Sequence, residues 1–274
     1  MKQFSLLLIF ALAILGCGKK GEPSEPEAKA QPKAETKQPK AKADEPEKAV
    51  EKPSPAGAFT NTLGMVFKPV PGTKVQFCIW ETRVQDYAAY AAANSGVDGR
   101  WKSPGYLSPG YTQTDTHPVV YVSWEDANAF CRWLTRMERA AGKITASQRY
   151  RLPTDAEWSV AVGLGPETGN TPAAKSRGVK GVYPWGKALP PPKGAGNYGK
   201  ILNVDNYEYT SPVGSFAANA AGLHDMGGNV EEWCVDKWGP TSPLRVKRGA
   251  SCRSLDLPEQ LFYNIGFRCV LAGE

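Results

Sequence analysis

The segment Gly222-Leu-His-Asp-Met-Gly-Gly-Asn-Val-Glu-Glu-Trp233 determines how the rest of the chain can fold. Its glycines and carboxylates are too densely placed for a regular helix or a plain strand. Gly227 and Gly228 permit positive φ angles and close approach of backbone segments. Asp225 and Glu232 are hard oxygen ligands of the kind that Ca²⁺ prefers, and nearby carbonyls can add more. The segment therefore predicts either a calcium-binding loop or a glycine-rich turn with solvated acids.

The first residues have the pattern of a secretion signal. Lys2 precedes an apolar run, Phe4 to Gly16, which is too short to span a bilayer. The run ends in Ile14-Leu15-Gly16-Cys17, which resembles a bacterial lipobox. The resemblance implies a signal peptide over residues 1–16, lipidation of Cys17 and membrane anchoring in the cell envelope. Gly18 weakly favours the outer membrane. An ordinary signal peptide with a chance cysteine is the alternative.

Residues 17–56 are a low-complexity segment of Lys, Glu, Pro and Ala without aromatic residues. Such a segment has too little apolar surface to offset its ordering entropy, so it predicts a disordered tether. Lys and Glu are interleaved, and the whole chain carries a net charge of only +6. This balance argues against nucleic acid as a partner.

Residues 57–274 are long enough for one large domain with its own core. Abundant Trp, Tyr, Gly and Pro and scarce helical periodicity favour an irregular α+β fold. The patterns predict strands at Asn61–Val70, Val75–Trp80 and His117–Val122, and helices at Gln85–Asn94, Trp124–Ala141 and from Thr154 through Val162. Ser123 with Asp126 and Thr154 with Glu157 have capping-box spacing at two of the helix starts.

Seven motifs follow one another in an order that is typical of one known family. They are His117-Pro-Val119 through Trp124, Arg151-Leu-Pro-Thr-Asp-Ala-Glu-Trp158, Tyr183-Pro-Trp-Gly186, Ser211-Pro-Val-Gly-Ser-Phe216, Gly222 through Trp233, Arg248-Gly-Ala-Ser251 and Asn264-Ile-Gly-Phe-Arg-Cys269. From about Asn61 to Leu271 the chain resembles the sulfatase-modifying-factor family, whose domain is formylglycine-generating-enzyme-like. The resemblance implies a single domain with an irregular, C-type-lectin-like α+β fold.

The resemblance also implies two calcium sites, and suitable residues stand at each position. For the first site these are the side chains of Asn197 and Asp205 and the carbonyls of Tyr198 and Tyr207. For the second they are the side chains of Asp225 and Glu232 and the carbonyls of Gly228 and Val230. We expect Ca²⁺ to stabilise loops that lack regular hydrogen bonding. Repacked loops that bind one ion or none are the alternative.

The cysteine count leaves an unpaired thiol in the mature domain. Of six cysteines, Cys17 is assigned to the lipid, which leaves five. The resemblance pairs Cys131 with Cys269, and an extracytoplasmic location permits the disulfide. Cys234 and Cys252 flank the central loop and strand and could form a second pair. Cys78 would then be a small buried hydrophobe on a strand.

In this chain, several positions that form the catalytic pocket of the resembled family carry other residues than the family pattern requires. Active members bind copper through two cysteines, because soft thiolates suit Cu(I). The corresponding positions are Ser254 and Glu259 in this chain, and Glu231 replaces a Trp near the oxygen pocket. Ser251 and Asn264 do match positions that line the active site. We therefore expect no formylglycine-generating activity and no copper cofactor. The alternatives are a copper-dependent oxidase that converts a sulfatase cysteine to formylglycine, and an altered oxidase that uses Cys252.

Other enzyme classes have weaker support. The chain has two histidines, so a three-His iron site cannot be built. Ser251, His224 and Asp225 could be combined as a triad, but no nucleophile elbow accompanies them. A phosphate-binding glycine loop is also missing.

The remaining hypothesis is a tethered recognition module for a protein, peptide or glycan. Two loops could carry the binding surface, Asp98–Asp115 with Trp101, Tyr106 and Tyr111, and the open stretch Gly163–Pro192. The aromatic residues of the first loop could instead cover the core. A purely structural envelope protein is a third possibility.

Overall fold

A computed structural model describes residues 57–104, 110–164, 167–177, 181, 183–250 and 264–273. All of them fall within the unit Glu51–Glu274. In this described part of the chain, no helix combines the length and apolar character needed to cross a bilayer. The predicted signal peptide, the tether and Cys17 lie outside the described residues.

The larger sheet, sheet 1, brings the two ends of the domain together. Its strands are β1 (Phe59–Thr60), β2 (Val66–Pro69), β3 (Val75–Cys78), β4 (Gln148–Arg151) and β8 (Val270–Gly273). Their order is β1-β2-β3-β8-β4, and every neighbouring pair is antiparallel. The predicted hairpin is confirmed as β2–β3, with Phe67 opposite Cys78. The C-terminal strand β8 therefore lies between this hairpin and β4.

The three predicted helices are present. They are α1 (Val84–Ala93), α2 (Trp124–Ala140) and α3 (Asp155–Val162), followed by the short α4 (Pro172–Lys175). Both predicted capping boxes are present, Ser123 with Asp126 and Thr154 with Glu157. Single 3₁₀ turns occur at Arg100–Lys102 and Lys200–Leu202.

A smaller sheet, sheet 2, begins directly after the segment Gly222–Val230, which we call the central loop. It consists of β5 (Glu231–Lys237), β6 (Arg245–Arg248) and β7 (Ile265–Gly266) in the order β6-β5-β7. Strand β5 pairs antiparallel with β6 and parallel with β7. Glu232 lies opposite Arg248, and Trp233 lies opposite Lys247.

The predicted strand at His117–Val122 is wrong. This segment makes one isolated bridge, between Pro118 and Arg83. Pro118 has no N–H to donate, and Tyr121 has a φ of 60°, so the backbone leaves the extended conformation within the segment. Its apolar character reflects burial, since Val119 and Val120 are fully covered.

Sheet 1 separates two hydrophobic clusters. Phe67 and Leu271 point to the face that packs against Phe130 of α2. Phe77 and Val270 point to the other face, toward Trp158 of α3. The alternation of side chains along each strand of sheet 1 thus separates the two clusters. Sheet 2 contributes to both of them, with Trp233 in the first and Cys234 in the second.

Candidate functional site

The central loop before β5 has an unusual backbone, but the strained residues are not its paired glycines. Positive φ angles occur at Gly222 (76°), Asp225 (59°) and Asn229 (70°). Gly227 and Gly228 are required for space instead. A Cβ on Gly227 would lie 2.7 Å from Pro184 Cγ, and one on Gly228 would lie 2.7 Å from the Asn197 carbonyl. The loop therefore packs directly on the segment that contains Asn197.

Asn229 joins this loop to three other parts of the chain. Its Nδ2 donates to Glu81 Oε2 (2.7 Å), and its Oδ1 accepts from the Ser211 N–H (2.8 Å) and from Asn197 Nδ2 (3.2 Å). Its N–H donates to the Asn197 carbonyl (2.8 Å). The side chain is fully buried. These bonds offset the strain of a non-glycine residue at positive φ and fix the loop in one conformation.

Glu232 is the acceptor in a buried ion pair with Arg268. Arg268 Nε lies 2.8 Å from both carboxylate oxygens, and Nη2 lies 2.6 Å from Oε1. Trp158 Nε1 also donates to Oε2 (3.0 Å). The guanidinium further donates to the carbonyls of Cys78 and His224 (3.2 and 2.9 Å). Arg268 therefore connects sheet 1, sheet 2 and the central loop at one point.

Among the described residues, the centre of the domain contains more negative than positive charge. Glu81, Asp225 and Glu232 are buried beside the guanidinium of Arg268, and these four groups carry a net charge of −2 when all are ionised. Burial raises the pKa of Glu81 well above its usual value, and the charges of Asp225 and Glu232 raise it further. Burial also raises the pKa of Asp225. A divalent cation at this point would balance the charge.

Asp225 has the strongest fit to the second predicted calcium site. Its Oδ2 accepts the Gly214 N–H (2.7 Å), whereas its buried Oδ1 has no hydrogen-bond partner among the described residues. Glu232 fits less well, because each of its oxygens already accepts two hydrogen bonds. Gly228 and Val230 follow in the same loop and offer carbonyls. A site here would depend on Asp225 and on backbone oxygens more than on Glu232.

Asp205 brings together three of the four residues of the first predicted calcium site. Its Oδ2 accepts the Tyr198 N–H (2.9 Å), and its Oδ1 accepts the Tyr207 N–H (2.8 Å). Each oxygen keeps lone pairs for a cation. The neighbouring Asn197 is fully buried, and its Oδ1 has no partner within the described part of the chain. No cluster of three or more His, Cys, Asp or Glu residues suited to a metal occurs among the described residues, so either site would need amide and carbonyl oxygens.

The predicted pocket residues Glu231 and Asn264 are neighbours. The Glu231 N–H donates to the Asn264 carbonyl (2.9 Å) where β5 meets β7. The side chain of Glu231 forms an ion pair with Lys247 Nζ (2.9 Å), and both groups are partly exposed. Because side chains alternate along β5, Glu231 lies on the face of sheet 2 opposite to Glu232. Ser251, Cys252, Ser254 and Glu259 lie outside the described residues.

Comparison with known proteins accounts for almost the whole of this domain. The sequence model of the family described as "Sulfatase-modifying factor enzyme 1-like domain" matches residues 55–272. The chain belongs to this family. Its irregular, C-type-lectin-like α+β fold is the one that the sequence motifs predicted.

Relatives within the sulfatase-modifying factor family include active and inactive proteins. The chain is 32% identical over 211 residues to the formylglycine-generating enzyme of Thermomonospora curvata, covering 62% of this chain and 60% of that protein. It is also 32% identical over 192 residues to the inactive C-alpha-formylglycine-generating enzyme 2 of Mus musculus, covering 62% and 54%. The chain thus spans about half to three-fifths of the length of these relatives. Because the sequence identity is the same to both relatives, it does not tell whether this chain resembles the active or the inactive protein more.

Among solved structures, the chain is similar to PvdO from Pseudomonas aeruginosa. It covers 81% of this chain and 100% of its own, with 20% sequence identity and a TM-score of 0.48.

The described cysteines of this family member are all buried. Cys131 Sγ lies 3.5 Å from Cys269 Sγ, and the two are not bonded in this structure. Cys78 lies on β3, as predicted, and is fully covered. Cys234 lies on β5 on the same face as Glu232. The predicted partner of Cys234, Cys252, lies outside the described residues, so that pairing stays a prediction.

Two structural residues of the site were missed by sequence reasoning. Glu81 and Arg268 are buried and hold Asn229 and Glu232 respectively. Arg268 had a detectable signal, since it is the one charged residue in the apolar run Ile265–Ala272. A charge inside such a run requires a buried partner.

The aromatic residues of the predicted binding loop Asp98–Asp115 cover the core where they are described. Trp101 and Tyr111 are 6% and 8% exposed. Trp101 packs against Tyr87 at 5.4 Å between ring centroids, and Tyr111 stacks on Tyr209 at 4.8 Å. The alternative prediction, that these aromatic residues cover the core, is therefore confirmed for Trp101 and Tyr111, whereas Tyr106 lies outside the described residues.

Proposed function

We propose that this protein is a membrane-tethered, extracytoplasmic recognition module that has lost formylglycine-generating activity. The observation that carries the proposal is the replacement of the copper-binding cysteine pair by Ser254 and Glu259. The lipobox ending in Cys17 supports the tether, and outer-membrane anchoring is the favoured location. The ligand would be a protein, a peptide or a glycan.

Copper chemistry needs a free pair of thiols, and the close pair in the described part of the chain, Cys131 and Cys269, is assigned to a disulfide. Burial raises the pKa of Cys78 to about 12 and raises those of Cys234 and Cys269 well above their usual value. Soft-metal binding requires thiolates, which these thiols resist forming. Cys234 also lies on the opposite face of sheet 2 from Glu231, the residue beside the family pocket. Cys252 alone cannot replace a cysteine pair.

Copper binding and aldehyde formation test the loss of activity. The purified protein with Cu(I) is expected to leave a Cys-Xaa-Pro-Xaa-Arg peptide unoxidised, as measured by mass spectrometry and aldehyde-specific labelling. We also expect no stoichiometric Cu(I) uptake once the disulfides are formed. An active formylglycine-generating enzyme in the same assay provides the positive control. Turnover of the peptide would refute the proposal, and copper uptake at a defined ratio would support an altered oxidase that uses Cys252.

We further propose that Ca²⁺ stabilises the domain at the two predicted sites. The support comes from the buried Oδ1 atoms of Asp225 and Asn197, which have no partners among the described residues, and from the excess of carboxylates at the centre. Bound Ca²⁺ would satisfy these oxygens and hold the central loop and the turn around Asp205 in place.

Removing calcium is expected to lower the melting temperature of the domain. At a Ca²⁺ concentration of about 100 Kd, binding to the folded state adds about 2.7 kcal/mol per site. Scanning calorimetry with excess Ca²⁺ and with EDTA measures the difference. Asp225→Ala and Asp205→Ala should each reduce the difference in melting temperature between the two conditions. Glu208 is an exposed acid in the same region, and Glu208→Gln should leave that difference unchanged. The same melting temperature in excess Ca²⁺ and in EDTA would rule out the sites.

A further inference from the structure

The two predicted calcium sites share one piece of chain. Asn197 and Tyr198 belong to the first site, and both residues pack on the central loop, which carries the second site. The carbonyl of Asn197 accepts the N–H of Asn229 (2.8 Å), and Asn197 Nδ2 donates to the side chain of Asn229 (3.2 Å). Asn229 stands between Gly228 and Val230, whose carbonyls are predicted ligands of the second site. A predicted ligand residue of one site is therefore bonded to the residue between two predicted ligand residues of the other.

The side chain of Tyr198 makes a second connection between the two sites. Its backbone N–H donates to Asp205 Oδ2 (2.9 Å), whereas its ring lies against the paired glycines of the central loop. A Cβ on Gly227 would lie 3.0 Å from the Tyr198 hydroxyl oxygen, and one on Gly228 would lie 3.2 Å from Cζ. The residue is buried, and its ring also makes an edge contact with Trp185, with centroids 5.0 Å apart. Because the contact is this close, the turn around Asp205 and the central loop cannot move independently.

The phenol of Tyr198 is also within electrostatic reach of both sites. Burial raises the pKa of Tyr198, and the charges of Asp225 and Asp205 raise it further. Its buried hydroxyl makes no hydrogen bond with any described residue. One uncharged side chain is therefore close to a predicted carboxylate ligand of each site. Two bound Ca²⁺ ions would repel each other, but the carboxylates that hold them offset much of this repulsion.

We propose that the two calcium sites form one cooperative unit, in which Ca²⁺ at either site raises the affinity of the other. An ion held by Asn197 and Asp205 fixes the segment 197–198, and that segment holds the carbonyls on either side of Asn229 in place. The second ion then binds to a loop that is already ordered, so less conformational entropy is lost. The coupling is reciprocal, so either site can fill first. The inference rests on the proposed calcium binding and adds regulation to it, since the domain would respond to Ca²⁺ over a narrow concentration range.

Calorimetric titration of the full-length mature protein with Ca²⁺ tests the coupling. We expect the wild-type protein to bind two ions. Asp205→Ala and Asp225→Ala each remove one site and give the affinity of the remaining site when its neighbour is empty. The coupling factor is the product of the two stepwise wild-type association constants divided by the product of these two single-site constants. We expect a factor of about five or more, the lower end of the range for coupled sites.

Variants of Tyr198 test the route of the coupling without removing a predicted ligand, because this residue contributes its backbone carbonyl. In the Tyr198→Ala background, two ions should still bind, while the coupling factor measured with the same aspartate variants falls toward one. Tyr198→Phe keeps the ring and should retain the wild-type factor. Ile201→Ala changes an exposed residue in the same stretch and should have no effect. Circular dichroism checks that the Tyr198→Ala protein is folded, and the wild-type factor does not depend on that variant.

The possible outcomes separate this inference from the calcium proposal on which it rests. Two ions that bind with a coupling factor of one or less would overturn the inference and leave both calcium sites supported. A factor that is the same in wild-type and folded Tyr198→Ala protein would overturn the assigned route. Uptake of one ion or none would overturn the inference together with the proposal of two calcium sites.

Discussion

Replacing Arg268 with methionine is expected to destabilise the domain by about 3–5 kcal/mol. Arg268 is fully buried, and its loss would leave the carboxylate of Glu232 without its cation. It would also leave the carbonyls of Cys78 and His224 without a donor. The midpoint of urea unfolding should therefore fall, while the m-value stays unchanged. Because one side chain connects both sheets to the central loop, the damage should not be local.

A double variant distinguishes the unpaired charge from simple loss of packing. Arg268→Met combined with Glu232→Gln removes both charges, and the glutamine oxygen can still accept from Trp158. We expect the double variant to be more stable than Arg268→Met alone. Arg100→Met serves as the surface control, since Arg100 pairs with Asp98 where both are well exposed, and its effect should stay below about 1 kcal/mol. Equal losses for Arg268→Met and Arg100→Met would contradict the assigned role.

Features that depend on neighbouring residues were predictable from the sequence. The capping pairs at Ser123 and Thr154 mark helix starts because each side chain bonds a backbone group three residues away. The β2–β3 hairpin follows from two apolar runs separated by Pro71-Gly72. Ordered motifs then identified the family, which gave the fold that local patterns could not specify.

Features that depend on distant residues were not predictable in the same way. Asn229 bonds Glu81 across 148 positions, and no local pattern indicates that partner. The positive φ of Tyr121 also depends on packing against distant residues. The strand propensity of the apolar run His117–Val122 therefore predicts a strand that does not form. Of the two roles predicted for Gly227 and Gly228, close approach of backbone segments is confirmed, because both pack closely on Pro184 and Asn197. The predicted positive φ angles occur at Asp225 and Asn229 instead.

The proposed disulfide between Cys131 and Cys269 should make a large contribution to stability. The two residues are 138 positions apart, so the bond would close a very long loop. In the chain-entropy model such a loop adds about 4–5 kcal/mol, and that value depends on the model. The sulfurs lie 3.5 Å apart in a fully buried site, which requires little movement to join them. We therefore expect a reducing agent to lower the urea midpoint sharply.

Cys78 provides the control for this prediction because it lies beside the pair. Its N–H donates to the Cys269 carbonyl (3.0 Å), so it is a near neighbour with no assigned partner. Cys78→Ala should leave the sensitivity to reductant unchanged, whereas Cys131→Ala should remove most of it, because the predicted Cys234–Cys252 pair would remain. Peptide mapping of the oxidised protein should join Cys131 to Cys269 and find Cys78 as a free thiol. The pairing would be contradicted by a peptide map that shows a Cys78–Cys269 disulfide. It would also be contradicted by a urea midpoint that is the same with and without reductant. The link matters for the site because Cys269 follows Arg268 directly, so a bond from α2 to this position would hold the guanidinium against Glu232.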